Sequence, residues 1–198
     1  MTAMTESLGL LGLTCQIFLS FVFGAAAVHK LRDAKAFVET LRDYQLIPSP
    51  LLGPVSALVI GLEVFVVFGL WPVSLRTEAT VTAAALLVSY AVAIGVNLGR
   101  GRREIDCGCS WGESGQTISW GLVFRNGLML LPCWVVIMSQ EIALSVETTS
   151  RAIPETAGLA ASVVALAAAV VLLFCYWSFE RLIANQPALA RLRGERAE

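Results

Sequence analysis

Long apolar runs dominate the chain, and short polar segments separate them. A transmembrane helix needs about 20 apolar residues to cross ~30 Å of hydrocarbon. Backbone N–H and C=O groups have no water partners at that depth, so helix is the state that such runs predict. The pattern therefore predicts an all-α integral membrane bundle of five transmembrane helices, at residues 8–31, 51–74, 79–98, 118–138 and 157–179.

Composition agrees with a membrane protein of one domain. Hydrophobic residues make up 57% of the 198 residues and charged residues 15%, whereas about 25% is the usual charged fraction of a soluble domain. These values exclude a water-soluble globule and a disordered chain. The net charge of −1 supplies no basic field for nucleic acid, so membrane lipid is the partner that composition predicts.

Basic residues are distributed unequally between the two sides of the membrane. The first and third connectors and the C-terminal tail carry eleven Lys and Arg residues, whereas Arg76 and Arg151 lie on the opposite side. Cytoplasmic loops of membrane proteins carry the excess of basic residues. The N-terminus is therefore predicted outside the cell and the C-terminus in the cytoplasm.

Two connectors are more than simple turns. Residues 33–45 place apolar side chains at helical spacing among charged ones, which predicts a helix in the membrane interface that Pro48 and Pro50 terminate. Residues 99–117 contain five glycines and no apolar period, which predicts a loop. Loops on rigid scaffolds often carry the chemistry of a protein.

The strongest chemical signal in that loop is a pair of cysteines, Cys107 and Cys109, separated by Gly108. A disulfide across one residue closes a small ring that is hard to form without strain, so it would be readily reduced. Arg102 and Arg103 nearby favour a thiolate, whereas the acidic residues Glu104 and Asp106 oppose it. The pair therefore favours thiol–disulfide exchange over structural bracing.

Other interpretations of the cysteines stay open. A structural zinc site needs four nitrogen or sulfur ligands, and the sequence offers no second cluster, so we expect no metal. Two inert thiols in a turn are a further alternative to redox exchange. Cys15 and Cys133 fall at similar depths in their helices, which suggests a second thiol pair, although buried cysteine is usually a small apolar filler.

Charged residues within the predicted helices are candidates for a polar site. Glu63 and Arg125 are expected to pair, because an isolated charge in the membrane is costly, and Asn126 and Asn97 are further polar candidates. An ion pair that only fixes helix register is the alternative.

At the end of the first helix, Lys30 is interpreted as an anchor that reaches the lipid headgroups. His29 is a candidate proton shuttle near the dithiol.

The order of these features resembles a known family. The segments that carry the resemblance are His29-Lys30-Leu31, Tyr44-Gln45-Leu46-Ile47-Pro48, Glu63, Asn97-Leu98-Gly99-Arg100-Gly101-Arg102, Ile105-Asp106-Cys107-Gly108-Cys109 and Arg125-Asn126. Together they resemble the MauE/DoxX group of redox-associated membrane proteins, and within it the methylamine utilisation family MauE. In that family the dithiol typically reads CGCFG, whereas Ser110 and Trp111 follow Cys109 here.

The resemblance implies a role in the bacterial inner membrane. It implies support for disulfide formation, folding or export of the methylamine dehydrogenase small subunit, together with a thioredoxin-like partner. Carried onto this chain, Cys107 and Cys109 become the redox pair of a thiol–disulfide oxidoreductase. Lys30, Glu63, Arg125 and Asn126 become supporting polar positions.

The sequence leaves alternatives for the position of the dithiol in the membrane and for the function. The charge distribution puts the dithiol loop on the cytoplasmic side, whereas the implied client matures outside, so either the loop is re-entrant or electrons cross the membrane. The function also has two alternatives. One is a non-catalytic scaffold for client assembly, and the other is a quinone-coupled redox subunit in which Arg125 and His29 face the quinone head group.

Overall fold

The structure, a computed structural model, describes residues 2–102, 105, 118–147 and 155–194. These residues form helices and no strand. One 3₁₀ turn, Ser49–Leu51, precedes the third helix. The α-helices are α1 (Thr2–Arg32), α2 (Ala34–Tyr44), α3 (Leu52–Gly69), α4 (Val73–Gly99), α5 (Trp120–Leu128), α6 (Leu130–Glu147) and α7 (Glu155–Gly194).

The prediction of an all-α bundle with five membrane-spanning segments is confirmed. The segments that are long and apolar enough are Ser7–Arg32, Ser49–Gly69, Val73–Gly99, Trp120–Gln140 and Ala161–Phe179. The second span ends five residues earlier than predicted and the third begins six residues earlier, because Pro72 separates α3 from α4. Arg76 and Glu78 lowered the hydropathy there, but neither residue prevents helical backbone hydrogen bonding.

The fourth span consists of two helices, α5 and α6, that meet at Met129. Pro132 has no backbone N–H, so it cannot donate to the carbonyl of Leu128, four residues earlier. The helix is interrupted next to Arg125 and Asn126, which are both buried.

The predicted interfacial helix is present as α2. It begins at Asp33, whose side chain accepts a hydrogen bond from the Ala36 backbone N–H at 3.0 Å, and it ends at Gln45 in the left-handed conformation, with φ of 50°. Phe37 and Tyr44 are buried, and α2 packs on α3. The apolar side of α2 therefore covers the end of the bundle at which α4 ends and α5 begins.

Helix α1 is central to the bundle, where it packs against α3, α6 and α7. Close approach depends on small residues: a Cβ added at Gly12 would lie 2.5 Å from Cβ of Ser139. A first hydrophobic cluster joins α1, α3, α4, α6 and α7 and contains Cys15 and Cys133. A second cluster lies at the loop end of the bundle and contains Tyr44, Ile94, Leu98, Ile105, Ile118 and Leu122.

Candidate functional site

A buried carboxylate on α3 is the centre of the candidate site. Glu63 has no exposed side-chain surface. Its Oε1 accepts a hydrogen bond from Lys30 Nζ at 2.5 Å and another from the Tyr90 hydroxyl at 2.7 Å. Helices α1, α3 and α4 therefore meet at one carboxylate oxygen.

Lys30 points into the bundle, not toward the headgroups. Its side chain is 1% exposed, and Nζ lies 5.2 Å from the ring centroid of Phe37 and 5.3 Å from that of Tyr90. The prediction that Lys30 is a headgroup anchor is wrong, because the residue lies on the side of α1 that faces α3, where Glu63 compensates its charge. His29, one residue earlier, is exposed, since successive residues point about 100° apart around a helix.

The ion-pair partner of Glu63 also differs from the prediction. Glu63 pairs with Lys30, whereas we expected Arg125. The reason is helix adjacency: α3 packs directly on α1, while α5 packs mainly on α4. The Arg125 guanidinium lies over the ring of Tyr176 on α7, with Cζ 5.7 Å from the centroid.

A cavity nevertheless brings most of the predicted polar residues together. Its volume is about 70 Å³, and Lys30, Glu63, Arg125 and Asn126 all line it, as does Tyr90. Within the described part of the chain, Glu63 Oε2 and Asn126 Nδ2 are buried and have no hydrogen-bond partner. At its edge are Phe21 and Trp177, both about half exposed. Since these two residues belong to membrane-spanning segments, the cavity opens toward lipid.

Asn97 does not belong to this cavity. It is fully buried on α4, where its Nδ2 donates to the Ala93 carbonyl at 3.1 Å and its Oδ1 accepts from Arg102 at 3.3 Å. These bonds anchor the chain where α4 ends and the loop begins.

The two cysteines of the predicted dithiol, Cys107 and Cys109, lie outside the described residues. The ends of their loop are described. The backbone N–H of Ile118 donates to the carbonyl of Ile105 at 3.0 Å, and both side chains are buried in the second hydrophobic cluster. The segment between them therefore begins and ends at one point on the bundle.

The remaining cysteines are free thiols. Cys15 and Cys133 are buried in the first cluster, and Cys133 donates a hydrogen bond to the Met129 carbonyl at 3.5 Å. Cys175 is exposed on α7. A redox role for Cys15 and Cys133 stays a prediction. Among the described residues, no group of three or more His, Cys, Asp or Glu side chains is arranged to hold a metal ion.

Sequence reasoning missed the aromatic residues of the site. Tyr90 donates to Glu63 and contacts Lys30, and Tyr176 lies under Arg125. A signal existed for both, because they are the only tyrosines within the predicted spans. A buried tyrosine hydroxyl usually finds a hydrogen-bond partner.

Comparison with known proteins gives consistent matches. The family model described as methylamine utilisation protein MauE matches residues 8–139. A methylamine utilization protein MauE from Paracoccus denitrificans is 36% identical over 157 residues, which cover 79% of this chain and 84% of the relative. One from Methylophilus methylotrophus is 42% identical over 93 residues, which cover 47% of this chain and 49% of the relative. No solved structure matches the chain.

Proposed function

The chain belongs to the methylamine utilisation family MauE, and from this premise we propose that it supports maturation of the methylamine dehydrogenase small subunit by thiol–disulfide exchange. Cys107 and Cys109 are the exchanging pair, and a thioredoxin-like protein is the redox partner. The protein is a multi-pass membrane protein, and we place it in the bacterial inner membrane.

The observation that carries this proposal is the attachment of the dithiol loop to the bundle. Ile105 and Ile118 are joined by a backbone hydrogen bond and buried together. Cys107 follows Ile105 by two residues and Cys109 follows it by four, so covalent geometry keeps their Cα atoms within about 7 and 14 Å of it. The described helices thus hold both ends of the segment that contains the two cysteines, which favours exchange with a partner protein.

The proposed exchange transfers two electrons and conserves atoms. The thiolate of one cysteine attacks the disulfide of the partner, a partner thiolate leaves, and a mixed disulfide forms. The second cysteine then attacks the mixed disulfide, which releases the reduced partner and leaves a bond between Cys107 and Cys109. Reduction of this bond by a dithiol runs through the same steps in reverse.

The test compares cysteine variants for maturation of the client. Replacing Cys107 and Cys109 together by Ser is expected to abolish disulfide formation in the methylamine dehydrogenase small subunit, measured by mobility after thiol alkylation. Cys175→Ser is the matched control, because Cys175 is an exposed free thiol on α7. Full maturation in the double variant would overturn redox exchange and support the scaffold alternative.

Orientation is part of the same proposal. With the N-terminus outside and the C-terminus in the cytoplasm, Cys107 and Cys109 are expected to react with a membrane-impermeant maleimide in inverted vesicles and not in intact cells. The experiment uses a variant whose other cysteines are replaced by Ser or Ala. Labelling in intact cells would instead support a loop that reaches the outer face.

The quinone-coupled alternative depends on the same cavity. Its opening toward lipid favours a membrane-dissolved ligand. Its volume does not, because about 70 Å³ is roughly half of the ~150 Å³ cavity known to admit a benzene ring. His29, which the alternative places against the quinone, is exposed and does not line the cavity. Dithiol exchange with a protein partner is therefore the function we favour.

A further inference from the structure

Two buried polar atoms in the cavity, one acceptor and one donor, are not used by the dithiol exchange proposed above. Glu63 Oε2 is a hydrogen-bond acceptor and Asn126 Nδ2 is a donor. Neither has a partner within the described residues, although Glu63 is fully buried and Asn126 is 3% exposed. Burial of an unsatisfied donor or acceptor is unfavourable, so each of the two atoms indicates a small polar guest in the cavity that both residues line.

The size of the cavity is compatible with water as that guest. A volume of about 70 Å³ corresponds to roughly two water molecules at ~30 Å³ each. Apolar cavities stay empty, but a cavity with several polar groups on its wall holds water. Water can donate to an acceptor such as Glu63 Oε2 and can accept from a donor such as Asn126 Nδ2, so it suits both atoms.

We propose that this cavity is a hydrated proton-binding site and that Glu63 exchanges a proton there through Oε2. The proton arrives on a cavity water and binds Oε2, which converts the carboxylate into a neutral carboxylic acid. The reverse step returns the proton to water. Oε1 keeps its hydrogen bonds from Lys30 and Tyr90 throughout, so the carboxyl group stays in position while its charge changes.

The groups that face Glu63 come from several helices. Lys30 approaches from α1, Tyr90 from α4 and Arg125 from α5. Two cations and one tyrosine hydroxyl therefore share the cavity with the Glu63 carboxyl group. From α7, Tyr176 lines the same cavity, and the Phe37 ring of α2 lies near Lys30.

Infrared difference spectroscopy of the full chain in lipid nanodiscs tests the proposal. The carbonyl band of a protonated, buried carboxylic acid should appear as the pH is lowered and should shift when H₂O is replaced by D₂O. Glu63→Gln should remove this band. Glu78→Gln, a matched change at an exposed glutamate on α4, should leave it unchanged. A band that is absent from the wild type, or that does not exchange with D₂O, overturns the proposal.

Two further variants keep the test decisive if Glu63→Gln does not fold. Asn126→Leu keeps the side-chain size but removes the hydrogen-bond donor. It should slow H/D exchange of the band by about tenfold, the factor that corresponds to the free energy of one buried hydrogen bond. Lys30→Met removes the hydrogen bond that Oε1 accepts and should shift the frequency of the band. A band that both variants leave unaltered would show that no cavity water serves Glu63.

Discussion

At the residue scale, one carboxylate organises the interior of the bundle. Oε1 of Glu63 joins α1 through Lys30 and α4 through Tyr90. Both members of the ion pair are at most 1% exposed, so neither charge is hydrated by bulk solvent. A buried pair of this kind contributes little net stability compared with apolar residues, but removal of one partner leaves a buried charge uncompensated.

This asymmetry predicts a strong coupling between Lys30 and Glu63. Lys30→Met and Glu63→Leu should each lower the free energy of unfolding by about 3–5 kcal/mol, whereas the double variant should recover most of that loss. Unfolding in detergent monitored by circular dichroism measures the cycle. Additive single effects would contradict the prediction. Client maturation by the folded double variant then distinguishes an ion pair that fixes helix register from one with a chemical role.

At the element scale, hydropathy predicts which segments are helices but not how they are rotated. The five spans are predicted by long apolar runs, and α2 is predicted by the helical period of its apolar residues. Both signals extend over many residues. The inward direction of Lys30 depends instead on which side of α1 meets α3, and the interruption at Met129 depends on the missing N–H of Pro132. The pairing of Glu63 with Lys30 could not be predicted from depth alone, since depth does not say which helices are neighbours.

The packing of α1 on α6 gives a prediction with an internal control. Gly12→Ala should destabilise the bundle by about 1–3 kcal/mol, because its Cβ would overlap Ser139 and force the helices apart. Gly9→Ala should be neutral or slightly stabilising, since no atom lies within 4 Å of the added Cβ and Ala favours helix. Thermal unfolding of both variants compares them. Equal Tm values would show that α1 and α6 do not pack this closely.

At the scale of the whole molecule, the cavity extends beyond the segment that the family model matches. The family model ends at residue 139, before α7 begins. Three residues of α7, Leu173, Tyr176 and Trp177, nevertheless line the cavity. The ring of Tyr176 also contacts Phe18 on α1, with centroids 6.1 Å apart and an edge-on geometry. Helix α7 is therefore part of the polar site, although it lies outside the segment that defines the family.

This arrangement predicts that Tyr176 attaches α7 to the bundle through its ring. Tyr176→Phe should lower the free energy of unfolding less than Tyr176→Ala does, because the contacts with Arg125 and Phe18 both use the ring, which Phe keeps. Tyr176→Ala should cost about 1–3 kcal/mol, less than removal of a fully buried aromatic side chain, because Tyr176 is only partly buried. It should also make α7 more accessible to limited proteolysis in detergent. If Tyr176→Phe is as destabilising as Tyr176→Ala, the hydroxyl and not the ring holds α7 in place.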